Sequence, residues 1–202
     1  MTLSAKINLT RESASAKFHL ELDFNIASDG ITALFGSSGS GKTSLLRCIA
    51  GLEENAIATI RFKNDLWQSH DHFLPTHERR IGLVFQRQNL FPHLSSRQNI
   101  EFAQKRVKSS LDNLNVDSVI DNLEIEHLLN KYPAQLSGGE QQLVALARTL
   151  KSNPALLLMD EPLSSLDDPR KNRLLEIIKD LSAKQGLPIL YVTHSVDEVL
   201  KI

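Results

Sequence analysis

The chain has 202 residues, 41% of them hydrophobic and 23% charged, with 23 Lys+Arg against 24 Asp+Glu and a formal net charge of −1. At ~150 residues per domain this is about one domain; the ordinary composition excludes wholesale disorder, and the balanced charge excludes a histone-like binder that needs a clustered positive excess. The lone cysteine, Cys48, excludes a disulfide framework and a multi-cysteine zinc site, no apolar run approaches the ~20 residues of a membrane span, and Met1–Lys6 lacks the basic-then-apolar layout of a secretory signal, so a cytosolic, soluble protein is expected.

From the N-terminus, Leu3, Ala5, Ile7 and Leu9 alternate with polar residues, as do Phe18, Leu20, Leu22 and Phe24. Both have the period-two pattern of half-buried strands, and the polar stretch Thr10–Lys17 is expected to connect them as a hairpin. Ile31–Phe35 is a short apolar run. Ile57–Lys63 alternates again, with Ala58, Ile60 and Phe62 on one face. Ile81–Phe85, Leu156–Met159 and Ile189–Val192 are, like Ile31–Phe35, the short apolar runs of central parallel strands covered on both faces. Between Ser95 and Tyr132 there is no alternation; Ile100, Leu111, Leu114, Val119, Ile120, Leu123, Leu128 and Leu129 suggest short helices, a helical insert over about 95–135. Leu143, Leu146, Ala147 and Leu150 follow helical spacing, and Asn153-Pro154 stops that helix. Asp168 is the expected N-cap of a further helix, with Pro169 at its first position, Leu174, Ile178 and Leu181 on its buried face and Gly186 as its stop. Ser195 and Glu198 have the spacing of a capping box for the last helix.

Three motifs carry chemistry. Gly36-Ser37-Ser38-Gly39-Ser40-Gly41-Lys42-Thr43 fits the phosphate-loop pattern, and it lies where that pattern requires, between the strand-like Ile31–Phe35 and the helical Ser44–Ala50, which Gly51 terminates. Glycines let backbone N–H groups approach a polyphosphate, the helix N-terminus adds partial positive charge, Lys42 reaches the outer phosphates and Thr43 offers a hydroxyl to Mg²⁺. The apolar Leu156–Met159 delivers Asp160 and Glu161 at a strand end, where open α/β sheets bind ligands; Asp160 is suited to Mg²⁺ and Glu161 to orienting or deprotonating an attacking water. Leu136-Ser137-Gly138-Gly139-Glu140 pairs a capping box, Ser137 with Glu140, with two glycines in a first helical turn. Glycine is a poor helix residue, so a bare helix tip approached closely by another molecule explains it better than an ordinary cap.

In this order the motifs resemble the nucleotide-binding subunit of ATP-binding cassette (ABC) transporters, from about Ile31 to the end of the chain. The resemblance implies an α/β P-loop NTPase of the cassette type: a mostly parallel core sheet, an N-terminal antiparallel β region and a helical insert. It makes Gly36–Thr43 the ATP cradle and Leu136–Glu140 the signature. Gln86 becomes the Q-loop glutamine, Ser165-Leu166-Asp167 the D-loop and His194 the switch histidine. Catalysis is then assigned to Glu161, His194 and Gln86. Nucleotide contact is assigned to Gly36, Ser37, Ser38, Gly39, Ser40, Gly41, Lys42 and Thr43, and to Ser137, Gly138, Gly139, Glu140 and Asp167; Mg²⁺ falls to Thr43, Gln86 and Asp160. It implies a head-to-tail dimer of cassettes, with Ser137, Gly138 and Gly139 of one clamping ATP on the phosphate loop of the other. It also implies permease subunits in the membrane, indirectly a solute-binding protein, no nucleic acid, and a location on the inner face of the cell membrane.

Three departures stand out. Gln141-Gln142-Leu143-Val144 lacks the arginine the family commonly has at its first or third position. No aromatic residue falls within Ser13–Lys17, where the family stacks a side chain on adenine, leaving Phe18 as the nearest candidate. The sequence ends at Ile202 inside a helix, where the family continues, so a shortened cassette is expected. Within the family, Glu78–Gln86 with Leu90-Phe91-Pro92-His93 resembles importer cassettes for small inorganic anions, and Leu166–Lys171 resembles molybdate-importer ATPases in particular; sulfate, iron and polyamine importers share several of these pieces. Phe91 and Leu94 either face a transmembrane partner or pack the insert on the core.

Other classes fit less well. Repair and chromosome-organising ATPases of the superfamily split their halves with a long coiled coil, and no heptads run between Thr43 and Ser137. A non-hydrolysing nucleotide module is disfavoured by Glu161. The serine-hydrolase elbow fails because Ser40 stands where its second glycine belongs. His70-Asp71-His72 and His77 read as a solvated loop, Cys48 as a small core residue, and Trp67 as a sheet-edge cap or a loop residue.

Overall fold

The computed structural model describes residues 2–13, 16–27, 29–86, 89–104, 116–164 and 166–202. Strands β1 (Thr2–Ser13), β2 (Ala16–Ala27), β4 (Ile57–Phe62) and β5 (Asp65–Gln68) form an antiparallel sheet in the order β2-β1-β4-β5. Strands β3 (Ile31–Phe35), β8 (Ile189–Thr193), β7 (Leu156–Asp160) and β6 (Ile81–Val84) form a parallel sheet in the order β3-β8-β7-β6. The expected hairpin connection over Thr10–Lys17 is corrected: the ladder runs to Ser13↔Ala16, with Arg11 opposite Phe18. Backbone pairing needs no apolar side chain, so polar residues continue the ladder past the edge of the core. Trp67 sits on the edge strand β5, buried, its ring 5.0 Å from Phe62.

Helix α1 (Lys42–Ala50) lies between the two sheets. Its Leu45, Leu46 and Ile49 pack with Leu3, Ile7 and Ile60 of the antiparallel sheet and with Leu156, Leu158, Leu190 and Val192 of the parallel one. The alternate residues Leu157, Met159, Ile189 and Tyr191 enter a second core, with helices α4 (Gly138–Lys151) and α5 (Asp168–Gln185). Two-sided burial is why β7 and β8 read as unbroken apolar runs.

Helices α2 (Ser96–Gln104) and α3 (Val116–Leu123), with 3₁₀ turns at Glu126–Leu128 and Pro133–Gln135, form the insert. Ile100, Val119, Ile120, Leu123 and Leu128 join the second core against α4; Leu111 and Leu114 lie outside the described residues. The N-cap of α5 is Asp167, whose carboxylate accepts from the Arg170 N–H at 3.0 Å, and not Asp168 as expected. Proline then falls at the second helical position, where its missing N–H still costs nothing.

Candidate functional site

Strand β3 ends at Phe35 and the chain turns through Gly36–Gly41 into α1. Gly39 and Gly41 have φ of +80° and +93°, a region L-residues avoid, and a Cβ on Gly41 would sit 3.1 Å from the Phe18 ring. No side chain caps α1 at Gly41. The first N–H groups of a helix have no partner within it and are positively polarised, as an anion site requires. Lys42, 8% exposed, folds back along the loop, Nζ donating to the carbonyls of Gly36 and Ser37 at 2.7 Å each. The Thr43 hydroxyl donates to Asp160 Oδ2 at 2.7 Å across 117 residues of sequence. That joins a hydroxyl and a carboxylate, both hard oxygen ligands, at the phosphate loop, a donor set that fits Mg²⁺.

Asp160 closes β7 and is buried; burial raises its carboxyl pKa, Glu161 adding to the rise while the Thr43 hydrogen bond and Lys42 oppose it. Glu161 is a left-handed residue at φ +47°, a conformation costing roughly 1–2 kcal/mol. Its N–H bonds to Val192 O at 2.9 Å, so the backbone turns immediately after the last sheet bond and the carboxylate swings into the cleft. Glu161 Oε1 meets His194 Nδ1 at 3.0 Å, the exposed imidazole lying outside the cleft's lining. Phe18, Ser38, Gly39, Gly41, Lys42, Thr43, Gln86, Asp160 and Glu161 line one cleft of about 260 Å³. The Phe18 ring lies against the phosphate loop at Gly41.

Ser137, Gly138, Gly139, Glu140 and Asp167 do not line this cleft. Ser137 and Glu140 form the expected capping box: Ser137 Oγ accepts from Glu140 N at 3.3 Å and Glu140 Oε2 accepts from Ser137 N at 2.7 Å. The backbone and hydroxyl bonds at Ser137, with Lys131 beyond, hold the Glu140 carboxyl below the usual range. Gln141, the departure from the family pattern, has a role of its own: Nε2 donates to the carbonyls of Pro133 and Leu136 at 3.0 and 3.3 Å, pinning the preceding turn to the helix tip without an ion pair. Asp167 caps α5, and Ser165 lies outside the described residues.

The description "ABC transporter" belongs to the family model that matches residues 20–164. The chain belongs to the ABC transporter family. The "Molybdenum import ATP-binding protein ModC" of Thiobacillus denitrificans is 49% identical over 185 residues, 92% of this chain and 51% of that protein. Its counterpart in Saccharophagus degradans is 50% identical over 196 residues, 97% of this chain and 54% of that one. The chain thus spans about half the length of the curated relatives it matches. Among solved structures, MJ0796, a bacterial ABC transporter cassette in dimeric form, superposes with a TM-score of 0.83 at 27% identity, covering 98% of this chain and 90% of that one. A dimeric post-hydrolysis state of MJ0796 bound to ADP and Pi gives 0.82 over the same shares.

Two features of the cassette were not legible beforehand. Glu198 was expected to complete a capping box with Ser195. Ser195 Oγ does accept from Glu198 N at 3.4 Å, but the Glu198 carboxylate turns to β8, accepting from Tyr191 and Thr193. Arg79, polar in any sequence reading, is 1% exposed. The His70–His72 stretch is exposed, and Cys48 is buried among apolar residues, its thiol pKa pushed up to about 11 by burial.

Proposed function

We propose that this chain is the ATP-binding and ATP-hydrolysing cassette of a molybdate importer, working as one of two identical cassettes. One observation carries the reading: Glu161 and His194 meet at the mouth of a phosphate loop whose helix no side chain caps. The loop amides and Lys42 bind the triphosphate, and Phe18 offers its ring to the base. Thr43, Asp160 and Gln86 are the residues to hold Mg²⁺, which when bound neutralises phosphate charge and polarises the terminal phosphoryl group. Glu161 orients the attacking water and accepts its proton; His194 holds that carboxylate in place.

The cleft of one copy lacks the signature residues, which supports a paired arrangement. In it Ser137, Gly138 and Gly139 of a second cassette close over the nucleotide, and both MJ0796 structures are dimers. Ser137 Oγ accepts the capping bond, so its own hydrogen remains to be donated to a phosphate oxygen.

A groove of about 350 Å³ between β6, the segment after Gln86, α2 and α4 supports docking of a permease. Phe91 packs its ring at a tilt against Phe102, centroids 4.6 Å apart, and under Arg148, and it also lines the groove, which supports a docking role beside its packing role. No helix among the described residues is long and apolar enough to cross a membrane, consistent with a peripheral place on the permease at the inner face. Molybdate is favoured by the identity to the molybdenum import proteins; the solute itself would be met by the permease and a solute-binding protein.

The test is turnover in proteoliposomes carrying the permease. MgATP hydrolysis should rise with molybdate-loaded and not sulfate-loaded binding protein. It should fall by about 100-fold or more in Glu161→Gln, with ATP affinity retained, because the amide accepts no proton. Full turnover in the variant overturns the assignment of Glu161, and stimulation by sulfate alone overturns the solute.

A further inference from the structure

We propose that Glu198 is the positioning residue for His194, fixing the turn that presents the imidazole to Glu161; this rests on the hydrolytic reading of the Glu161–His194 pair. His194 is exposed, its side chain 58% accessible, on the turn between β8 and the single-turn helix α6 (Val196–Val199). An exposed ring on a turn holds one position only if the backbone on both sides is fixed. A four-residue helix has no stability of its own with which to fix it.

Glu198 supplies the missing constraint. Its Oε2 accepts from the Thr193 hydroxyl at 2.6 Å and from the Tyr191 phenol at 2.9 Å. Thr193 Oγ1 in turn accepts from Ser195 N at 3.0 Å, and Ser195 Oγ from Glu198 N at 3.4 Å. The residues before and after His194 are therefore both tied, directly or in one step, to a single carboxylate oxygen. Left to local rules, a glutamate at this spacing would bond to Ser195 N. Here that N–H belongs to Thr193 and the carboxylate is committed to β8. Tyr191 is completely buried, and its phenol pKa is raised by burial and then by Glu198, so it stays protonated as a donor.

Both donors converge on one oxygen, which sets the test. An amide oxygen accepts the same two bonds, so Glu198→Gln should keep kcat within about threefold of wild type, whereas Glu198→Ala should lower kcat about 10–100-fold with KM for ATP within twofold. In Glu198→Ala the His194 ring Cε1–H resonance should move to the position of a solvent-averaged imidazole; in Glu198→Gln it should stay. Wild-type kcat in Glu198→Ala, equal loss in both variants, or a KM rise matching the kcat loss each overturns the proposal. Thr193→Val removes one donor from the same oxygen and replaces Glu198→Ala should that variant not fold; it should lower kcat in the same direction, and an unchanged kcat again overturns the proposal. Glu161→Gln and His194→Ala run in parallel separate the two readings. If both hydrolyse normally, the hydrolytic assignment fails, and the His194 resonance still decides whether Glu198 places the ring.

Discussion

At its N-terminus, helix α1 is uncapped, glycine-rich and open to a cleft; at its C-terminus it is buried and saturated with bonds. Gly51 ends it in the left-handed conformation, with its N–H on Cys48 O. Arg79 then covers that end, NH1 donating to Ile49 O at 2.8 Å and Cys48 O at 3.2 Å, and Nε to Leu74 O at 2.7 Å. A Cβ on Gly51 would lie 2.6 Å from the guanidinium carbon, so the glycine makes room for the arginine. Among the described residues no carboxylate is bonded to Arg79; its partners are carbonyls, Gln68 and the Trp67 and Phe73 rings. Burial lowers its pKa to about 10, leaving it cationic at neutral pH, where it complements the negative end of the helix dipole. One end of the helix is thus open to a cleft without a side-chain cap, and the other is held by several bonds at once.

This contrast breaks most severely at the buried end. Arg79→Ala should cost about 3–5 kcal/mol of stability in urea denaturation, because it leaves several buried carbonyls unbonded together. A cost under about 1 kcal/mol would mean the end is held by packing alone. Lys42→Ala should give the opposite signature: ATP affinity by calorimetry falls about 10–100-fold, while stability changes by about 1–2 kcal/mol, since the bonds lost are to two carbonyls of its own loop. Equal ATP affinity would remove Lys42 from the cradle.

The smallest effect concerns Glu53, just beyond the buried end, which receives Arg47 of α1 and Arg11 of β1 at 2.5 Å each. Burial works to raise its carboxyl, yet the hydrogen bonds and charges of Arg47 and Arg11 outweigh burial and hold the pKa below the usual range. A carboxyl lowered on folding stabilises above its unfolded pKa, and that stability is lost as pH falls through the folded value. Glu53→Gln should therefore cost about 1 kcal/mol near pH 7, both arginines being partly exposed. The difference from wild type should vanish on acidification below the ordinary glutamate range. A gap that persists there would show that shape rather than charge matters.

Local rules made much of this cassette legible from its residues. The phosphate loop between strand and helix, the Ser137–Glu140 capping box, Asp160 and Glu161 at a strand end, and Gly51 and Gly186 as helix stops all follow from spacings within one turn or one strand. The same rules misplaced the α5 cap by one residue, because Asp167 and Asp168 are equivalent in composition and only backbone geometry chooses between them. They also halted the first hairpin early, since polarity marks where a core ends and not where a ladder ends. Only the tertiary structure brought Thr43 to Asp160, Glu161 to His194 and Glu198 to Tyr191 and Thr193, and only it buried Arg79 on carbonyls of α1. Local order is dictated by the backbone groups that a residue's own neighbours can satisfy. A charged side chain, by contrast, takes whichever partner the packing of the two sheets leaves within reach, and no spacing along the chain encodes that choice.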